Sequence, residues 1–90
     1  NKGVVLKTHA SQRYASDARS STTLQTAAKK LDVPIQKFVS RNDVSCGTTI
    51  GPIHASLTGM PTVDLGCSQL SMHSSRELMA TEDHLYLCQL

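Results

Sequence analysis

The sequence predicts an α/β fold, and two observations carry that expectation. Short β-branched apolar runs alternate with helical stretches in the order strand, helix, strand, helix, strand, helix. The junctions between them hold turn and capping residues, as real element boundaries do. Alternation of this kind, joined by right-handed crossovers, predicts a largely parallel, helix-covered sheet.

Gly3-Val4-Val5-Leu6-Lys7 opens the chain as the first strand. Thr8 to Ser16 is polar and reads as a loop. Ser16 or Asp17 can cap a helix running to about Leu31, with Ala18, Leu24, Ala27, Ala28 and Leu31 at its apolar or small positions. Lys29 and Lys30 fall in its last turn, where the helix dipole favours cations. Asp32-Val33-Pro34 stops it, because a residue before proline is pushed out of helical geometry.

Ile35 to Val39 is the second strand, followed by the polar turn Arg41-Asn42-Asp43. Ser45 to Ser56 leads into the second helix, whose apolar stripe is Ile50, Ile53 and Leu57. Gly51-Pro52 belongs in a first helical turn, so the regular part starts near Gly51. Gly59 has the character of a C-cap. Pro61 to Leu65 is the third strand, and Ser75 to Leu90 the third helix, amphipathic through Leu78, Met79, Leu85 and Leu87. Ser74 and Glu77 have the spacing of a capping box at its start.

A chain of 90 residues supports one small domain. It holds no Trp, one Phe (Phe38) and two Tyr (Tyr14 and Tyr86), so its core is short of the residues that bury most surface. The expectation is a piece of something larger, its two ends looking cut. Net charge is +2 and the nine Lys and Arg are scattered, with Lys29–Lys30 the one adjacent pair. That excludes a basic stripe for nucleic acid and a membrane-binding face. No apolar run approaches the roughly 20 residues of a membrane span. Three cysteines, Cys46, Cys67 and Cys88, with no leader ahead of them, suit a reducing, cytoplasmic setting.

Chemistry concentrates at Leu65–Glu77, LGCSQLSMHSSRE. There His73 follows a strand end and a glycine-containing turn and precedes a helix start, the place where open α/β sheets put their ligands. His9, His54 and His84 have no such placement and read as ordinary solvated or hydrogen-bonded residues. A self-contained zinc site is excluded, because no close C-x₂-C pair exists and His73 is the sole well-placed ligand. Any metal at His73 must draw its other ligands from outside this chain. Cys46 precedes a helix start, which favours a thiolate, but no partner base is identifiable and it reads as a packed small residue. Gly47 to Gly51 lacks the lysine and spacing of a phosphate loop.

Three segments, QRYAS, RNDVSCGTTIGPIHAS and VDLGCSQLSMHSSRE, closely resemble the aspartyl aminopeptidases, dinuclear-zinc exopeptidases that remove N-terminal Asp or Glu. The likeness runs without gaps from Gly3 to about Leu78 and is looser after Met79. It implies a three-layer α/β/α catalytic domain of which residues 1–90 are a partial, C-terminal portion. By the same resemblance the histidine of the MHS-x-RE motif, a zinc ligand, falls on His73. The lysine and tyrosine that recognise the substrate's acidic side chain fall on Lys7 and Tyr14. Read from the residues alone, Lys7 is a strand-end surface lysine and Tyr14 a loop anchor. The family's other zinc ligands, its bridging carboxylate and its glutamate general base lie upstream of such a segment, so this stretch alone is expected to be inactive. Two zinc ions per complete subunit, peptide substrates with an acidic N-terminal residue and a homo-oligomer are what the resemblance implies. The competing expectation is a non-catalytic interaction or assembly module that keeps the fold.

Overall fold

The structure, a computed structural model, describes residues 2–90. In chain order it contains β1 (Val4–Thr8), α1 (Ala18–Lys30), β2 (Ile35–Val39), α2 (Ile50–Thr58), β3 (Asp64–Gly66), β4 (Gln69–Leu70), β5 (Leu78–Met79) and α3 (Thr81–Gln89). The α/β class is as expected, and the predicted order holds as far as β3.

β1 is the centre of a three-stranded sheet, β2-β1-β3. Its alternate residues Val4 and Leu6 are 0% and 1% exposed, as the period of two demands of a strand with neighbours on both edges. β2 runs parallel to β1 over five pairs, from Val4 opposite Ile35 to Thr8 opposite Val39. β3 runs antiparallel, with Val5 opposite Gly66, Leu6 opposite Leu65 and Lys7 opposite Asp64. The sheet is therefore mixed, which corrects the largely parallel expectation. A parallel return needs a helix that recrosses the sheet. α2 does not do this: it buries none of its residues, and Ile50, Ile53 and Leu57 of the predicted stripe are 82%, 58% and 80% exposed. The chain consequently re-enters the sheet from the end at which β2 left it.

α1 begins where Asp17 was expected to cap it. The Asp17 carboxylate accepts from the Ser20 amide at 2.7 Å and Ser20 Oγ accepts from the Asp17 amide at 3.1 Å, a capping box with serine in the return position. These bonds hold the Asp17 carboxyl below its usual range. Lys29 and Lys30 occupy the last turn, Leu31 is the C-cap, and Asp32 takes a left-handed φ of 55°. The helix lays Ala28 against Val4 and Val33, and Ile35, Leu65, Tyr86, Leu87 and Leu90 close over that cluster.

The third helix is shorter than predicted. Ser74 and Glu77 do not cap it; they stitch the loop of a β4–β5 hairpin in which Gln69 pairs with Met79 and Leu70 with Leu78. Ser74 Oγ accepts from the Arg76 amide and Glu77 Oε1 from the His73 amide. Short polar side chains bonding to nearby backbone compete with helix in this way. α3 starts only at Thr81, with no side-chain cap at Ala80. Asp83 in its first turn is fully buried and accepts from the Gly3 amide at 2.7 Å, tying α3 to the start of β1.

Gly3 shows how tight that start is. Its φ is +104°, and an added Cβ would lie 2.0 Å from the Pro34 carbonyl oxygen. Around Gly47 a Cβ would meet nothing within 4 Å. Gly3→Ala should therefore destabilise the protein by at least about 1–3 kcal/mol, whereas Gly47→Ala should be neutral or slightly stabilising. Thermal melts of the two variants check this, and equal losses would refute the packing at Gly3.

Candidate functional site

Lys7 and Tyr14, seven residues apart, come together at the carboxyl end of β1. Lys7 lies near that end of the strand, half-buried, with its Nζ 5.6 Å from the centroid of the Tyr14 ring. Gly66 on β3 makes room for it, since a Cβ there would sit 3.3 Å from Lys7 Cε and Nζ. Asp64 stands opposite Lys7 in the ladder. Even so, the sole ion pair among the described residues is Arg41–Asp43, so the Lys7 ammonium is left unpaired there.

The Asp64 carboxylate is occupied elsewhere. Its Oδ2 accepts from the Ala15 amide at 2.6 Å and its Oδ1 from Thr49 Oγ1 at 2.9 Å. The Asp64 amide donates to Ser16 Oγ at 2.8 Å. Thr49 is the N-cap of α2 and accepts from Gly51, whose Cα approaches so closely that a Cβ would lie 2.8 Å from Asp64 Oδ2. One side chain thus joins β3, the loop carrying Tyr14 and the start of α2.

Tyr14 is 9% exposed. Its ring meets His9 and Phe38 edge-on, each at 6.4 Å between centroids. His9 Nδ1 accepts from the Ser11 amide at 3.0 Å, which puts the ring proton on Nε2, buried and unpartnered among the described residues. Cys46 Sγ donates to the Tyr14 hydroxyl at 3.0 Å. The phenol is pushed up to about 12: in the alkaline range an anionic Cys46 sulfur would accept from the phenol and favour its protonated form, and burial and the negative charges of Cys46 and Asp64 add to this. It keeps its proton throughout the neutral range and presents an O–H next to an unpaired ammonium. That pair suits a carboxylate.

His73 is on a different element. It is exposed in the β4–β5 loop with a left-handed φ of 71°, uncommon for a residue other than glycine. The expected helix start after it is absent. No hydrogen bond or ring contact links it to Lys7 or Tyr14 among the described residues, and its imidazole is open to a ligand. Among those residues no group of three or more His, Cys, Asp or Glu is gathered to hold a metal. The residues present therefore offer zinc one ligand and no complete site. His54 and His84 are exposed, the latter with Nε2 3.9 Å from Cys88 Sγ. The three cysteines are all free, and burial, with Asp83 and Cys88 adding to it, raises the Cys67 thiol. One surface concavity, lined in part by Gln12, Arg19, Pro52 and Met60, includes none of Lys7, Tyr14 or His73. Among the described residues no helix is long and apolar enough to cross a membrane.

Sequence reasoning passed over Asp64 and read Cys46 as a packed small residue, with no link to Tyr14. Asp64 carries a visible signal, a lone charge inside the apolar run Pro61 to Leu65. The bond from Cys46 to Tyr14 carries none, because it spans 32 residues.

Residues 1–90 match the family described as Aminopeptidase I zinc metalloprotease (M18). Aspartyl aminopeptidase 1 of Schizosaccharomyces pombe is 51% identical over 86 residues, covering 96% of this chain and 18% of that protein. A probable M18 family aminopeptidase 2 of Mycobacterium tuberculosis is 49% identical over 83 residues, covering 92% of this chain and 19% of its own. A chain in the cryo-EM structure of the Ape4 and Nbr1 complex superposes with a TM-score of 0.94 at 49% identity, over 99% of this chain and 17% of that one. The chain spans less than a fifth of the length of these relatives. A whole-chain family match, half the residues identical and a near-superposable backbone lead to one conclusion: the chain belongs to the M18 family of zinc metallo-aminopeptidases.

Proposed function

We propose that this chain is the C-terminal portion of the catalytic domain of an aminopeptidase that releases Asp or Glu from peptide N-termini. In this reading Lys7 and Tyr14 hold the acidic side chain and His73 is a ligand to one of two zinc ions. The observation that carries it is the half-buried Lys7 ammonium, without a counter-ion among the described residues, beside a phenol whose proton is retained to about 12. Two donors and no acceptor form a place for a carboxylate. The names of the Schizosaccharomyces and Ricinus relatives, aspartyl aminopeptidase and probable aspartyl aminopeptidase, support the choice of substrate.

Each residue has a separable task. Lys7 supplies charge, and Tyr14 supplies direction through a single O–H, so together they fix how far and at what angle the substrate's first side chain enters. His73 contributes one imidazole, held out to solvent by the loop that Glu77 and Ser74 close. Zinc chemistry at such a centre consists of polarising the scissile carbonyl and lowering the pKa of a bound water. The remaining ligands and the proton acceptor belong to parts of the complete enzyme other than these 90 residues. The exposed apolar stripe of α2 calls for cover, and we assign that cover to the same larger body, a three-layer α/β/α domain in a cytoplasmic homo-oligomer.

Lys7→Ala in the complete enzyme should lower kcat/KM for N-terminal Asp or Glu by about 30-fold or more, the cost of a lost charge partner, and should spare neutral N-termini. Equal losses on both substrate classes would remove the specificity role. His73→Ala should lower bound zinc, measured by atomic absorption, together with turnover; normal zinc content would end the ligand assignment. Spectroscopic titration tests Tyr14 itself. Its raised folded value means its contribution to stability is complete below the ordinary phenol range near 10 and is lost as pH climbs through about 12. Tyrosinate absorbance should accordingly show one late-ionising phenol that Tyr14→Phe abolishes.

A further inference from the structure

We infer that Cys46 is a positioning residue for substrate specificity: its thiol aims the Tyr14 hydroxyl. This rests on the carboxylate-binding reading of Lys7 and Tyr14. The geometry gives it a basis of its own, because the segment Cys46–Thr49 holds Arg13 and Tyr14 directly and Ala15 through Asp64. Thr48 Oγ1 donates to the Arg13 carbonyl at 2.7 Å. Cys46 Sγ donates to the Tyr14 hydroxyl at 3.0 Å. The Ala15 amide donates to the Asp64 carboxylate, which also accepts from Thr49. Backbone and carboxylate bonds on either side therefore fix where the thiol stands, and its contact with the phenol is an imposed one.

The direction of the bond matters chemically. With the S–H donating, the phenol oxygen's acceptor capacity is spent inside the protein and its own proton is left to donate outward. A substrate carboxylate, which can only accept, needs that arrangement. The His9 and Phe38 rings restrain the Tyr14 ring at its edges and leave the hydroxyl to be set by Cys46. Serine at position 46 keeps a donor; alanine does not.

The test is made in the complete enzyme, with zinc content and melting temperature measured alongside. Cys46→Ala should raise KM for N-terminal Asp or Glu substrates by about threefold to tenfold, the worth of one ordinary hydrogen bond. It should leave kcat, zinc content and activity on neutral N-termini unchanged. Cys46→Ser should reverse most of the rise in KM. An equal loss on acidic and neutral substrates, or no change in KM, overturns the inference. Tyr14→Phe and Lys7→Ala separate the two levels. If they abolish the preference for acidic residues while Cys46→Ala does not, the carboxylate site stands and the role of Cys46 falls. If neither alters the preference, the carboxylate site itself is wrong and Cys46 falls with it.

Discussion

The Asp64 carboxylate is the constraint on which the candidate site depends. Hydrogen bonds to a charged acceptor contribute about 1.5–3 kcal/mol each, and Asp64 draws them from the Ala15 amide and the Thr49 hydroxyl. Those two groups come from different segments of the chain, so the carboxylate sets the loop of Tyr14 and the start of α2 in one frame. The same bonds explain why Lys7 is unpaired. Asp64 is opposite it in the ladder, but its oxygens are turned to the Ala15 amide and the Thr49 hydroxyl and it makes no ion pair with Lys7 among the described residues. A carboxylate beside a lysine ordinarily cancels it; here the carboxylate builds the wall and leaves the charge.

Strand direction makes this possible. β3 runs antiparallel to β1, and that register puts Asp64 opposite Lys7 and Gly66 opposite Val5. Reversing the strand would exchange those places and move the carboxylate away from the Tyr14 loop. The mixed sheet is thus tied directly to the site. It follows from α2, which lies off the sheet with its apolar residues exposed and does not carry the chain back across it.

Local signals were legible where local physics decided the outcome. β2 falls on Ile35–Val39 as its β-branched pattern predicts, Asp17 caps α1, and Gly59 ends α2 at a left-handed φ of 70°. The same kind of reasoning failed at Ser74–Glu77. That spacing fits a helix cap or a hairpin loop equally well, and the pairing of Gln69-Leu70 with Leu78-Met79 chose the loop. Strands of two residues have no periodicity to read. Asp83 was missed for a related reason: its burial comes from one bond to Gly3, 80 residues away in sequence. Lys7 and Tyr14 drew notice only through family resemblance, since what distinguishes them is the partner each lacks or has, and partners are tertiary facts.

His73, the proposed metal ligand, stands apart from that frame. A left-handed φ in a residue other than glycine costs about 1–2 kcal/mol, and the loop meets that cost with the Glu77 and Ser74 bonds to its own backbone. What the strain secures is an imidazole held away from the core on a stitched hairpin, with no hydrogen-bond partner in the described residues to compete for it. A zinc centre takes three or four protein ligands. A single histidine cannot bind the ion with useful affinity, but one whose backbone is already fixed loses little freedom when the others close around it. In the proposed reading, then, specificity and metal ligation would stand on separate elements: an anchored loop for the substrate's charge, and a stitched hairpin tip for the ion.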